Sequence, residues 1–244
     1  MTSFAPEPLF HIGFISITNS LLNTLLVDGV LIAGAVYVSK HVNVVPSRVQ
    51  NAVESIIEPF YDMTETIAGD RAAKIFPYFM SFFLFILFAN WSGLLPGVSS
   101  IGFFHSVAGK KELVPLLRNA TSDINVTFAL ALISVVATHV MSVQTIGIKD
   151  YLGRYFSLNP IYLFVGLLEI VSEFTKIVSL SFRLFGNIFA GEIVLATISG
   201  LFAFFAPLPF LLLEVIVGIV QALVFSMLTM VFMSILTVSH KAEH

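Results

Sequence analysis

The sequence contains no cysteine, so disulfides and thiolate metal sites are excluded from the outset. Charge is scarce as well: Asp, Glu, Lys and Arg make up 11% of the 244 residues, against 57% hydrophobic ones. With a mean hydropathy of +0.95, that ratio removes the soluble globular classes and places the chain among membrane proteins. No Lys or Arg precedes Lys40, so the basic start of a cleavable signal sequence is missing and the first apolar run is expected to be retained. There is no phosphate-cradling P-loop and no basic patch, which argues against nucleotide and nucleic acid as partners. A Gly-x-Ser-x-Gly elbow is absent too, which disfavours an intramembrane hydrolase. His139 has no second His or Cys at metal-ligand spacing and is read as a hydrogen-bonded interior histidine. No metal and no cofactor is expected.

Residues 1–19 hold two prolines and a few aromatics and read as an interfacial arm. Residues 20–39 are apolar over a length that crosses a hydrocarbon core of about 30 Å. Asp28, near their middle, either faces other helices or an interface, or acts as a second ionisable relay. Over 46–69, Val49, Val53, Ile56, Phe60 and Ile67 recur at helical intervals opposite Glu54, Glu58, Asp62 and Glu65. This pattern predicts an amphipathic helix on the membrane surface, kinked at Pro59, with Ser47 and Gln50 at capping-box spacing. A Phe-rich span over 74–95 is closed by Asn90, Trp91 and the Gly93 to Gly97 turn, and a loop over 98–122 carries Lys110, Lys111 and Arg118. The next span, 124–147, sets Asp123, Thr127, Ser134, Thr138 and Thr145 within about 60° of Asp123, a stripe read as packing in preference to a water path, and carries His139 as well.

The C-terminal third is different in kind. No proline occurs between Ile161 and Ala206, and a helix over 160–200 would be about 60 Å long, twice the hydrocarbon thickness. It must break into two spans or lie at a steep tilt, roughly 60° from the normal if continuous. On an ideal helix Glu169, Ser172, Lys176, Ser179, Arg183 and Asn187 fall within about 40° either side of Arg183, while Glu192 lands on the opposite face. An arginine near the bilayer centre costs on the order of 2.5 to 3.5 kcal/mol and marks an ion path or a partner. After a bend over 200–209, residues 207–238 return as another overlong helix with Glu214, Gly218, Gln221 and Phe225 on one face. The expected fold is an all-α membrane protein with about five membrane-embedded helices and one interfacial amphipathic helix, the last two embedded helices forming a long, strongly tilted hairpin. Counting basic residues in the links, Lys40, Arg48, Arg71, Lys74, Lys149, Arg154 and Lys241 against Lys110, Lys111 and Arg118, puts the C-terminus in the cytoplasm and the N-terminus outside.

The run SLSFRLFGNIFAGE, the spacing E-x(6)-Q from Glu214 to Gln221, the PSRVQ opening of the surface helix and FANWSGLLPG together resemble subunit a of the F-type ATP synthases, bacterial or plastid-like. The resemblance implies a stator subunit of the membrane sector, CF(0) or Fo, of a rotary motor for ATP synthesis, with no catalysis of its own. It implies packing against a ring of small c subunits, each with one membrane-embedded carboxylate, and peripheral-stalk b subunits, other ATP synthase subunits and membrane lipid as further partners. Two offset proton half-channels would reach the ring carboxylate, separated by Arg183, which matches the family's essential arginine. Asn187, Glu192, Glu214 and Gln221 match the outer-side proton path, with Asp123 near its mouth. Glu169, Ser172 and Ser179 match the cytoplasmic side, where Glu173 is set with them. Some members carry histidine at or near the place of Glu214, whereas this chain offers two carboxylates, Glu192 and Glu214. A multi-pass place in a bacterial inner membrane is expected. From the residues alone the alternative is a self-contained ion channel or secondary transporter, which leaves the single stripe on an overlong helix unexplained.

Overall fold

The apolar runs fold as helices, because in lipid a helix alone satisfies every backbone group within its own segment. The computed structural model describes residues 8–12, 15–95, 102–107, 110–155, 160–201 and 207–238. The start of the expected arm, Gly97, parts of the 98–122 loop and of the link after Lys149, half of the 200–209 bend, and Lys241 lie outside them. In order the elements are β1 (Pro8–Ile12), β2 (Ile15–Thr18), α1 (Asn19–Lys40), α2 (Arg48–Ala68), α3 (Ala72–Leu94), β3 (Gly102–Val107), β4 (Lys110–Pro115), α4 (Ile124–Ile146), α5 (Ile148–Tyr155), α6 (Pro160–Leu201) and α7 (Pro207–Leu236). The chain is an all-α membrane protein, with two short antiparallel hairpins, β1 with β2 and β3 with β4, as its only strands among the described residues. Four helical stretches, Asn19–Lys40, Arg48–Leu94, Ile124–Ile146 and Pro207–Leu236, are long and apolar enough to cross a membrane. α6 is a single helix of 42 residues, about 63 Å by its rise.

Three local features differ from the sequence reading. The stretch read as a loop over 98–122 contains the β3–β4 hairpin, and the polar link after Lys149 contains α5, too short to announce itself by apolar periodicity. Only half of the expected capping box forms: Ser47 Oγ accepts from Gln50 N at 3.3 Å, but the Gln50 side chain turns to the preceding loop. Its Oε1 accepts from Asn43 N at 3.0 Å and its Nε2 donates to Asn43 O at 3.1 Å, because the chain before Ser47 folds back within its reach.

The chain divides into two compact units. The first comprises 1–42, 83–127 and 183–223, and its interior is unusually polar: Asn19, Ser20, Asn23, Asn90, Thr121, Ser122 and Asp123 are buried beside Ile86, Leu184 and Ile188. Asn23 Nδ2 donates to Ser92 Oγ at 2.8 Å and to the carbonyl of Arg118 at 2.9 Å, so α1 is fastened to α3 and to the strap before α4 by hydrogen bonds rather than by apolar contact alone. The second comprises 43–82, 128–182 and 224–244, with a core of Ile75, Phe79, Phe82, Phe225, Met230 and Met233. Within it Ser134 and Thr229 hydroxyls meet at 2.8 Å, Ser142 Oγ donates to Leu236 O at 2.6 Å, and Arg71 Nη1 donates to Ser234 O at 3.2 Å and to Thr237 Oγ1 at 2.8 Å. A cation at the C-terminal end of α7 meets carbonyls that have no partner inside the helix.

Candidate functional site

α6 and α7 run antiparallel where they touch, since partner numbers fall along α7 as they rise along α6. Asn187 Nδ2 donates to Gln221 Oε1 at 2.7 Å, and Gly191, one turn further along α6, lies against Glu214. A Cβ at position 191 would overlap Oε1 of Glu214, so the close approach requires glycine. Glu214 and Gln221 are 6% and 3% exposed, and neither Glu214 Oε2 nor Gln221 Nε2 has a hydrogen-bond partner among the described residues. Leaving a buried polar atom unbonded costs about 1 to 3 kcal/mol, which packing alone does not justify. Between them on α7 the Gly218 carbonyl accepts from Asn90 Nδ2 at 3.2 Å, and Asn90 Oδ1 accepts from Thr121 Oγ1 at 2.7 Å.

Two further acids of this unit, Glu192 and Asp123, are engaged at the segment before α4. Glu192 Oε2 is 3.8 Å from Arg118 Nη2, and Arg118 Nε donates to Ser122 Oγ at 3.3 Å. Asp123 is buried: Oδ2 accepts from Ser20 Oγ at 2.7 Å, and Oδ1 accepts from Asn125 N at 2.9 Å, closing the first turn of α4. Asn187, Glu192, Glu214, Gln221 and Asp123, separated by up to 98 positions, therefore all lie in this one unit.

The second unit holds the other acids. Glu169 Oε1 is 2.6 Å from Arg154 Nε. One turn along α6, Glu173 Oε1 accepts from Lys176 Nζ at 2.7 Å, and Glu173 Oε2 is 3.6 Å from His139 Nε2. The Tyr151 hydroxyl is 3.0 Å from His139 Nδ1, and the Lys176 ammonium sits 4.5 Å above the Phe232 ring of α7. Tyr155, stacked edge-on with Tyr151, has its hydroxyl pKa pushed up, first by burial and then by Tyr151.

Arg183 is exposed on α6, as are Ser172, Ser179 and Phe182, while Leu180 and Leu184 on the adjoining face are buried. The expected site residues thus fall into two polar groups plus an exposed stripe that holds Ser172, Ser179 and Arg183. Arg118, Tyr151 and Arg154 are site neighbours that sequence reading missed. They lie far from their partners along the chain, and only the basic residues gave a signal, as links with charge. His139, read as a bonded interior histidine, has that bond and an acid besides.

These features define a polytopic, all-α membrane protein with ionisable groups distributed along one very long helix and its antiparallel neighbour. The profile of a family described as ATP synthase A chain matches residues 21–234. ATP synthase subunit a of Moorella thermoacetica is 30% identical over 234 residues, covering 96% of this chain and 97% of that protein. ATP synthase subunit a of Syntrophobacter fumaroxidans is 33% identical over 231 residues, 93% and 87% of the two chains, and ATP synthase subunit a 2 of a Bradyrhizobium species is 32% identical over 224 residues, 92% and 91%. The chain belongs to the ATP synthase A chain family.

Proposed function

We propose that this chain is the stator subunit of the membrane sector of a rotary ATP synthase, offering two offset proton half-channels to the carboxylates of a c-ring. The observation that carries the reading is the place of Arg183. It is exposed on α6, and along that helix it stands between the acids bonded to Arg154, His139 and Lys176 and those grouped with Arg118, Gly191 and Gln221. In this reading Asn187, Glu192, Glu214 and Gln221, with Asp123 near the mouth, line the outer route. Glu169, Ser172, Glu173 and Ser179 line the cytoplasmic one. Residues 46–69 lie on the membrane surface, 160–200 and 207–238 form the tilted hairpin against the ring, peripheral-stalk b subunits dock on the same chain, and the C-terminus is cytoplasmic.

The chemistry follows from the residue types. A guanidinium stays protonated at any accessible pH, whereas a buried lysine can shed its proton. A ring carboxylate arriving beside Arg183 is favoured in its ionised form and gives up its proton. Carrying a bare carboxylate onward into lipid is costly, so it must take up another proton first. Rotation acquires a direction when protons reach the ring by one route and leave by the other. Each charge moved through 100 mV contributes about 2.3 kcal/mol, so several transfers must be summed for each ATP.

Small or polar residues flank Arg183, the exposed Ser172, Ser179 and Ala190 and the half-buried Gly186 lying within about 60° of it, which lets a neighbouring helix approach closely. The test is ATP-driven proton pumping and ATP synthesis by the whole complex in vesicles. Arg183→Ala and Arg183→Lys should both abolish coupled transport while the complex still assembles. Normal ATP synthesis in either variant would overturn the proposal.

A further inference from the structure

We propose that His139 carries protons on the route through Glu173, with Tyr151 positioning its ring; the inference rests on the function proposed above and adds a group to it. Three elements converge here. α4 supplies His139, α5 supplies Tyr151 and α6 supplies Glu173 with Lys176. The imidazole lies between a hydroxyl at 3.0 Å from Nδ1 and a carboxylate oxygen at 3.6 Å from Nε2. A Tyr hydroxyl donating to Nδ1 leaves the ring proton on Nε2, aimed at Glu173 Oε2.

That order makes a short relay. A proton taken up at Nδ1 from water, as the Tyr151 hydroxyl turns from donor to acceptor, gives the imidazolium beside an acid. Passing the Nε2 proton to Glu173 Oε2 restores a neutral ring, so one proton arrives and one leaves. Lys176 holds the other carboxylate oxygen at 2.7 Å and keeps Oε2 turned to the histidine. The groups contacting this pair are Tyr151, backed by Tyr155, from α5 and Lys176 from α6, while Arg154 engages Glu169 one turn away. Imidazole suits the task because it can take up a proton at one ring nitrogen and release one from the other. A packing role alone would explain a buried ring but not its access: the His139 side chain is 25% exposed, against 12% for Glu173.

The experiment uses the intact ATP synthase in proteoliposomes, with proton flux measured across pH and complex assembly checked in each variant. His139→Ala should lower flux about a hundredfold, at the low end of what one positioned acid–base group contributes, and added imidazole should restore it. Tyr151→Phe should assemble normally and change the pH profile of the flux. Unchanged flux in His139→Ala, or a loss that imidazole does not restore, would overturn the inference. So would a failure to assemble shared by His139→Ala and the bulk-conserving His139→Gln, since it would assign the ring a structural role. Arg183→Ala and Glu169→Gln separate the two levels. If both pump normally, the proposed function itself falls; if both are impaired while His139→Ala is not, only the relay does.

Discussion

Gly191 on α6 lies so close to the Glu214 carboxylate on α7 that one added methyl would occupy the space of Oε1. The approach of the two helices at this level is thus set by the absence of a side chain on one and the presence of an acid on the other. It brings Asn187 and Gln221 into hydrogen-bond contact one turn along α6.

Gly191→Ala should displace Glu214. Replacing a helical glycine by alanine gains about 1 kcal/mol of helix propensity, and overpacking costs about 1 to 3 kcal/mol, leaving a net destabilisation of about 0 to 2 kcal/mol. The effect on proton flux should be far larger than the effect on thermal stability of the purified complex. Adding Glu214→Ala should relieve the overlap and recover stability without recovering flux. Equal recovery of both would show that Glu214 matters only for packing.

Glu192 and Arg118 should act as a pair. Glu192→Gln, Glu214→Gln and Arg118→Ala are each expected to slow proton uptake without preventing assembly. Arg118→Ala should add little to Glu192→Gln, because the contact at 3.8 Å is lost already in the single variant. Passive proton flux in the single and double variants checks this; fully additive losses would mean that the two residues work separately.

Arg154→Ala leaves Glu169 without its guanidinium, which is 2.6 Å away in the structure. Both side chains are mostly buried, so removing one partner should cost more than the 0 to about 1 kcal/mol of a surface pair. Arg154→Lys, with a point charge in place of a planar fork, should recover only part of it. Thermal unfolding of the chain in detergent measures the order, which should run wild type, lysine, alanine.

Arg71→Ala removes two hydrogen bonds to the last turn of α7. A loss of about 1 to 3 kcal/mol is expected, the range for bonds to a charged donor. It should show as faster amide exchange at Ser234 and Thr237, with proton pumping retained near the wild-type level. Protection unchanged at these two positions would contradict it.

Much was settled by one-dimensional information. Hydropathy over 20 to 40 consecutive residues gives the membrane class and the helices, because lipid penalises any unsatisfied backbone in every fold alike. The run RLFGN from Arg183 to Asn187, with Glu214 and Gln221 seven apart, carried the family resemblance, which the comparison with known families bears out. Short elements escaped: α5 has only eight residues, and β3 and β4, GFFHSV and KKELVP, lack the strict apolar and polar alternation that marks a strand.

What the linear sequence could not decide is who faces whom. Helical phase sets Glu169, Ser172, Lys176, Ser179, Arg183 and Asn187 along one stripe, yet Glu169 and Lys176 are half-buried while Ser172, Ser179 and Arg183 are exposed. Glu192 meets Arg118 from 74 residues earlier, and Glu173 meets His139 from 34 earlier. Such contacts depend on how separate helices approach and rotate about their axes, to which a single helix's periodicity is blind. An α6 helix is dictated by its own residues; the partners of its charges are supplied by α4, α5, α7 and the segment before α4.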